Sequence, residues 1–482
     1  MTSRVLAVLA LLAVVVLAPP ASHAQRGPSA LETVARAMGE PGLKSIQFTG
    51  GGVNFAAGQN ASPSLPWPRF NVRSFTRSVN YETASLQDEI VRAQGEDPPR
   101  GGGQQPIRGE QRQVFVVSGD HAWNVQMGVA VPAPIALIDR QVQLWATPHG
   151  VVKAALSHRA HFEGRTIAFS VPGRFRVRAR VDDRNLIERV EATLTNAVLG
   201  DTTVEVSYTD YRDVGGVKFP TRIRQTMGAF PSLDLTVTDV KPNAPVDIPI
   251  PDTVSQSASP YARVTTQMVA DGVWYITGGT HHSVAIEMGD HVIVVEAPLN
   301  DERALAVIAE VRGLVPDKPI RSVINSHLHF DHAGGLRAFA GEGVTVITHE
   351  VNRAFLERAL AAPATVVPDH LAKSGRRGRV ESVRDRRVLT GGTRTVEIHH
   401  VPGNLHHDGL LMVYLPKERL LIEADAFTPL PPNTPYPAPP NPFSVNLADA
   451  VARLGIGVDQ LLPLHGRIVP LSELHRAIGR SN

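Results

Sequence analysis

His327-Leu328-His329-Phe330-Asp331-His332 places four metal-binding side chains within six residues. The spacing has a physical reading. In extended backbone, residues two apart point the same way, so His327 and His329 can close on one ion. Asp331 and His332 are neighbours and diverge, which suits them to a second ion close by. Imidazole and carboxylate donors without thiolate are the set a catalytic zinc site typically uses. The chain contains no cysteine.

Three more candidate ligands each follow an apolar, strand-like run. His406 follows Val396-Glu397-Ile398-His399-His400-Val401-Pro402-Gly403, Asp425 follows Arg419-Leu420-Leu421-Ile422-Glu423-Ala424, and His465 follows Gln460-Leu461-Leu462-Pro463-Leu464. Strand ends suit a site, because rigid elements there hold side chains that reach into a loop-lined cleft.

This ordering resembles the metallo-β-lactamase-fold hydrolases, a superfamily that includes glyoxalase II, lactonases and zinc β-lactamases. The resemblance rests on Ser326-His327-x-His329-x-Asp331-His332-x-Gly334-Gly335, on Gly403-x-x-His406-x-Asp408-Gly409, on Ala424-Asp425 and on His465-Gly466. It implies an α+β architecture, a four-layer αβ/βα sandwich. It further implies two zinc ions per chain. His327, His329 and His406 would hold the first, Asp331, His332 and His465 the second, with Asp425 bridging them as in glyoxalase II. A hydroxide between the ions would be the nucleophile, and Asp331 would orient it and carry a proton. Zinc β-lactamases lack the bridging Asp, and many use a Cys ligand that this chain does not have. Two positions depart from the common pattern: Ala424 stands where Gly is usual, and Glu296 stands where many members have Asp. Glu296 could orient a ligand imidazole, but its longer arm puts that role in question.

The remaining histidines are weaker candidates. His281 and His282 lie in a turn, Gly278 to Ser283, that either faces the substrate or is solvated. His407 follows a ligand and should point away. His349, His399 and His400 read as packed or surface groups, and Asp408 as a turn residue.

The N-terminus carries a separate message. Arg4, the apolar run Val5 to Leu17, Pro19-Pro20 and then Ala21-Ser22-His23-Ala24 read as a secretory signal cleaved after Ala24. The run is short for a bilayer, which needs about 20 residues. The mature chain is therefore expected to be periplasmic or secreted, with no transmembrane span. The net charge of +2 gives a nucleic-acid partner no support, and the expected partner is a small-molecule substrate.

Residues 25–245 read as a β-rich accessory domain. Arg174 to Val181, Leu186 to Leu194, Thr202 to Tyr211 and Arg222 to Met227 alternate apolar and polar residues. A helical pattern runs from Ile135 to Ala155. The pattern weakly resembles the curved half-barrel of LolA-type lipoprotein carriers. Glu96 to Gln111, rich in Gly, Pro and Gln, reads as a disordered loop. Residues 246–262 read as a linker, and 263–482 as the hydrolase domain. There, Asp301 to Val311 should be a helix, Ile320 to Asn325 the strand feeding the ligands, and Gly334 to Phe339 the start of the next helix. The basic loop Lys373 to Arg379 and the Pro-rich segment Pro429 to Pro442 are each candidates to flank the cleft.

The function expected from these residues is an exported, dinuclear zinc hydrolase of an ester, thioester or lactone. A zinc β-lactamase and a non-catalytic periplasmic carrier are the alternatives. Fold alone does not choose the bond.

Overall fold

Phe175–Val181 alternates buried and exposed without a break, with Phe175, Val177, Ala179 and Val181 inward and three arginines outward. That alternation builds a half-buried strand, and its neighbours repeat it. The computed structural model describes residues 29–257, 261 and 263–480. The candidate export signal, residues 1–24, lies outside them. Among the described residues, thirteen strands between Ser45 and Pro242 form one antiparallel sheet. Its first strand, Ser45–Phe55, pairs with its last, Phe230–Pro242, in the middle. Successive hairpins then lead outward to Val129–Pro132 at one edge and His161–Glu163 at the other.

Three helices share one hydrophobic core with this sheet. Ala30–Met38 begins with a capping box, in which Ser29 and Glu32 each receive the other's backbone N–H. The single helical pattern expected over residues 135–155 is instead two α-helices, Leu137–Trp145 and Pro148–Ser157. Proline cannot continue the first helix and holds Thr147 extended. The Thr147 hydroxyl then caps the second helix by accepting from the Gly150 N–H.

Glu40, 4 % exposed beneath these helices, pairs with Lys153 at 2.5 Å. Burial still outweighs the lysine and pushes its carboxyl up to about 7. A raised carboxyl contributes stability that is complete below its unfolded pKa of 4.5 and lost as pH climbs through about 7. Glu40→Gln should therefore gain melting temperature relative to the parent between pH 5 and pH 8, by no more than about 3 kcal/mol in stability. An equal difference between the two proteins at both pH values would refute this.

The C-terminal part has two sheets. Seven strands from Thr265–Ala270 to Arg379–Val383 form the first, and six from Arg386–Gly391 to Val469–Pro470 the second. The sheets pack face to face, with Ile286, Ile293 and Ile324 of the first meeting Ile398, Val413 and Ile422 of the second. The outer face of the first is covered by Asp301–Leu314 and neighbouring helices, that of the second by Pro442–Leu454 and Leu471–Ala477. This is the four-layer αβ/βα arrangement expected, preceded by a β-rich part. No described helix is long and apolar enough to cross a membrane.

Two local expectations change. The helix after the ligand stretch begins inside it: Phe330–Ala333 is already helical, and Leu336–Gly341 follows. Residues 96–111 are not a disordered loop. Glu110 and Gln111 open the strand Glu110–Ser118, and the rest packs onto the C-terminal part. There the Gly101 N–H donates to Leu405 O at 2.8 Å and Arg100 pairs with Asp408 at 3.2 Å. A Gly-rich segment reads as disordered by composition, yet its backbone amides at Gly101, Gly102 and Gly103 find acceptors in Leu405 and Gln59.

Candidate metal centre

Strand direction brings the ligands together. In the second sheet, Arg394–His400, Leu420–Glu423 and Gln460–Pro463 share one direction. His406, Asp425 and His465, which follow them, therefore emerge at one edge. In the first sheet, Val273–Thr277, Val292–Val295 and Ile320–Ile324 also share a direction. They deliver His281, Glu296 and His327. Glu296 and Asp425 both turn the chain with positive φ, 76° and 61°. That conformation is uncommon for non-glycine residues and clusters at functional sites.

Two four-residue groups of donors result, and a third, Glu296, His327 and His332, draws one histidine from each. His327, His329, His406 and Asp425 form one, and His281, Asp331, His332 and His465 the other, with one donor atom per residue within 4.8 Å of the rest of its group. The seven residues singled out in the sequence are all here. His281 is the eighth, with Nε2 3.1 Å from Asp331 Oδ2. Asp425 faces both groups. Its Oδ1 is 2.9 Å from His332 Nε2 and 3.0 Å from His465 Nε2, and its Oδ2 is 3.1 Å from His406 Nε2.

Residues 276–455 match the family model of the metallo-beta-lactamase superfamily. The chain carries a metallo-β-lactamase-superfamily domain. It is 29% identical over 165 residues to the 2,4-dinitroanisole O-demethylase subunit alpha of Nocardioides sp. (strain JS1661), a match covering 34% of this chain. The chain spans only 46% of that relative's length. Solved structures similar to it include a metallo-beta-lactamase from Pontibacter korlensis, at 15% identity and TM-score 0.36, covering 45% of this chain and 98% of that one. Another is the metallo-beta-lactamase from Hirschia baltica, at 20% identity and TM-score 0.35, covering 45% and 99%.

The donor chemistry of this centre fits cations. Burial drives His327 well below the ordinary imidazole range and His329 down to about 3, so both are neutral with a lone pair to give. Burial resists charge on Asp425, but His332 and His465 overcome it and hold the carboxyl well below its usual range. Ring nitrogens face ring nitrogens, His332 to His465 at 3.0 Å and His327 to His406 at 3.3 Å. Asp425 Oδ1 has close neighbours but no aligned hydrogen-bond donor among the described residues. Atoms that converge on shared points, rather than on one another, suit ions placed between them.

Glu296 settles differently from the doubt its length raised. It is fully buried, takes N–H bonds from Asn325 and Ser326, and lies 3.2 Å from His332 Nδ1. Burial pushes the carboxyl of Glu423 up to about 8, with the neighbouring Asp425 carboxylate adding to the rise.

The other histidines stand outside both groups. His282 turns to the Gly466 carbonyl at 3.0 Å. His407 accepts from the Gly409 N–H. The His349 and His400 rings lie 4.1 Å apart, tilted to each other, and His399 meets Glu397. Nothing in the sequence said which of His281 and His282 faces inward. The pair at the end of a strand was the available signal.

The centre opens into a cavity of about 1280 Å³. Asp331, His406, Asp425 and His465 line it, with loops that follow strands of both C-terminal sheets on one side and strands of the N-terminal sheet on the other. Leu430, Tyr436 and Pro437 place the Pro-rich segment in its lining, and Arg108 holds the segment through the carbonyls of Ala438 and Pro439. From the N-terminal sheet, Arg92 is buried against neutral acceptors, Gln111 Oε1 and Gly103 O, both at 2.8 Å. The basic loop Lys373 to Arg379 is not among the lining residues. Arg376 and Arg379 instead bond the carbonyls of Glu342 and Gly343.

Proposed function

We propose that this chain is an exported, dinuclear zinc-dependent hydrolase of an ester, thioester or lactone. The observation that carries the reading is Asp425, one carboxylate presented to both four-residue donor groups in the lining of a large cavity. A carboxylate in that position is the glyoxalase-like feature and disfavours a β-lactamase. Zinc bound there supplies Lewis acidity and lowers the pKa of water from 15.7 to about 7.

The chain's own residues do the rest. Asp331 lines the cavity with Oδ2 held by His281 and Oδ1 by Gln59 at 2.7 Å. Held so, it orients water and can carry its proton to a leaving oxygen or sulfur. Phe427, Tyr436 and Phe443 give the cavity an apolar side against which an acyl or aryl group can lie. The volume exceeds the roughly 300–1,000 Å³ of ordinary ligand pockets, which supports a bulky or extended substrate.

The test is metal content and turnover of the full chain purified without chelator. The expected result is about two zinc per chain and hydrolysis of esters or lactones that chelation abolishes and zinc restores. β-Lactams, phosphodiesters and 2,4-dinitroanisole belong in the same panel, the last because the relative in Nocardioides is named for it. Mostly iron would point to redox chemistry. A chain that takes up no metal would be a binding module.

A further inference from the structure

We infer that the N-terminal sheet is part of the metal centre: its loop Gly58–Ala61 fixes the orientation of two candidate ligands, and Gln59 is a positioning residue for Asp331. The inference rests on the hydrolase reading above and adds to it a role for the first half of the chain.

Four contacts carry it. The Asn60 carbonyl lies 3.0 Å from His329 Nε2. That contact commits Nε2 to hold the proton and leaves Nδ1, buried and without a hydrogen-bond partner, as the nitrogen free for an ion. Gln59 donates through Nε2 to Asp331 Oδ1 at 2.7 Å and accepts through Oε1 from the Gly103 N–H at 3.1 Å. The amide is thus oriented from both ends, and Asp331 is held between Gln59 and His281. The Phe330 N–H, between the two ligands, donates to Gly58 O at 3.1 Å. The Asp408 N–H, two residues after His406, donates to Ala61 O at 2.7 Å. Four consecutive residues of one part of the molecule therefore each bond the ligand-bearing loops of the other.

The loop is shaped for this approach. Gly58 has φ +71°, and a Cβ there would sit 2.2 Å from the Phe330 ring. Gly102, in the segment that looked disordered, would place a Cβ 1.9 Å from Gln59 Oε1 and 3.0 Å from His329 Cε1. Glycine at these positions lets backbone come within contact of the ligands. Phe330 is also held edge-on by Trp67, whose ring stacks on Phe230 of the same sheet.

Partners of this kind, which hold a ligand imidazole or carboxylate from behind, change metal affinity by roughly 10–100-fold when lost. Two full-length variants test the assignment. Gln59→Ala removes the amide, and Gly102→Ala fills the space that Gln59 and His329 occupy. Affinity for zinc is measured by chelator competition, the visible spectrum is recorded on the cobalt(II)-loaded protein, and the melting temperature is taken without metal. The expected result is zinc binding weaker by roughly 10–100-fold in both and a shifted cobalt spectrum, with the metal-free melting temperature of Gln59→Ala unchanged. Should Gly102→Ala fail to fold, Gln59→Ala alone decides. Unchanged zinc affinity and cobalt spectrum in Gln59→Ala, beside a parent that binds two zinc ions, would overturn this inference and leave the hydrolase reading intact. A parent that binds no metal would overturn both.

Discussion

Asp425→Asn should lose at least one of two bound metal ions and lower kcat/KM by on the order of 10³-fold or more. Asp425 Oδ1 faces one donor group and its Oδ2 the other, with His332, His465 and His406 all within 2.9–3.1 Å of its oxygens. Removing its charge would take the shared anion from between several imidazoles and the two cations of the proposed centre. A bound ion's stabilisation of transition-state charge is worth several kcal/mol, and each 1.36 kcal/mol is tenfold in rate. Asparagine is the informative replacement. Residue 425 has φ 61°, a conformation in which Asn is among the least strained side chains. The substitution therefore changes charge and leaves the turn. Alanine would add backbone strain and confuse the two effects. Elemental analysis and turnover at saturating zinc read the result. Two ions per chain with activity near the parent's would remove Asp425 from its assigned place.

How much of this centre was legible before folding depends on what each residue needed. The stretch from His327 to His332 announced itself because metal chemistry demands rare side chains at short spacing. His406, Asp425 and His465 could be found because each follows an apolar run that ends at the same edge of one sheet. His281 was ambiguous for a geometric reason. It shares a turn with His282, and only the turn's path decides that the first meets Asp331 while the second meets Gly466.

The contribution of the N-terminal sheet was not legible at all. Asn60 acts through its carbonyl and Gly58 through its lack of a side chain, so neither carries a chemical signature. Gln59 looks like any polar loop residue until the two parts are packed. Gly101-Gly102-Gly103 did carry a signal, since glycine runs permit close backbone approach as well as disorder. Composition alone cannot separate those readings. The strands themselves were better served. The alternation of Phe175–Val181 needs no partner to be recognised, whereas the break at Thr147-Pro148 needed only the rule that proline ends the helix before it.

Glu296 carries the second large expectation, and its neighbours make the sign clear. Every polar group around the carboxylate points a donor at it: Asn325 Nδ2 and the Ser326 N–H at Oε1, the Ser326 hydroxyl and His332 Nδ1 at Oε2. With Nδ1 committed to Glu296, His332 Nε2 is the nitrogen turned toward Asp425 and His465, and it would ligate once a cation displaces the proton that Asp425 favours there. Glu296→Gln keeps the volume but puts an NH₂ group where one acceptor was. If the amide oxygen takes the place of Oε1, the NH₂ faces the Ser326 hydroxyl, which can rotate to accept, and His332 Nδ1, which can accept only by moving its proton to Nε2. The reverse placement leaves the NH₂ against the Asn325 amide and the Ser326 N–H, of which the backbone donor cannot turn, in a fully buried site. Either way one partner is unsatisfied, at a cost of about 1–3 kcal/mol, or His332 is in the wrong tautomer. The expected outcome is a lower melting temperature together with roughly 10–100-fold weaker binding of the metal held by His332. Glu296→Ala, which deletes the buried partner of His332 outright, should cost more, about 3–5 kcal/mol. Calorimetric unfolding and chelator competition on the two variants give both numbers. If Glu296→Gln kept two ions at parental affinity, the carboxylate would be a structural group of the strand turn, and His332 would owe its orientation to Asp425 alone.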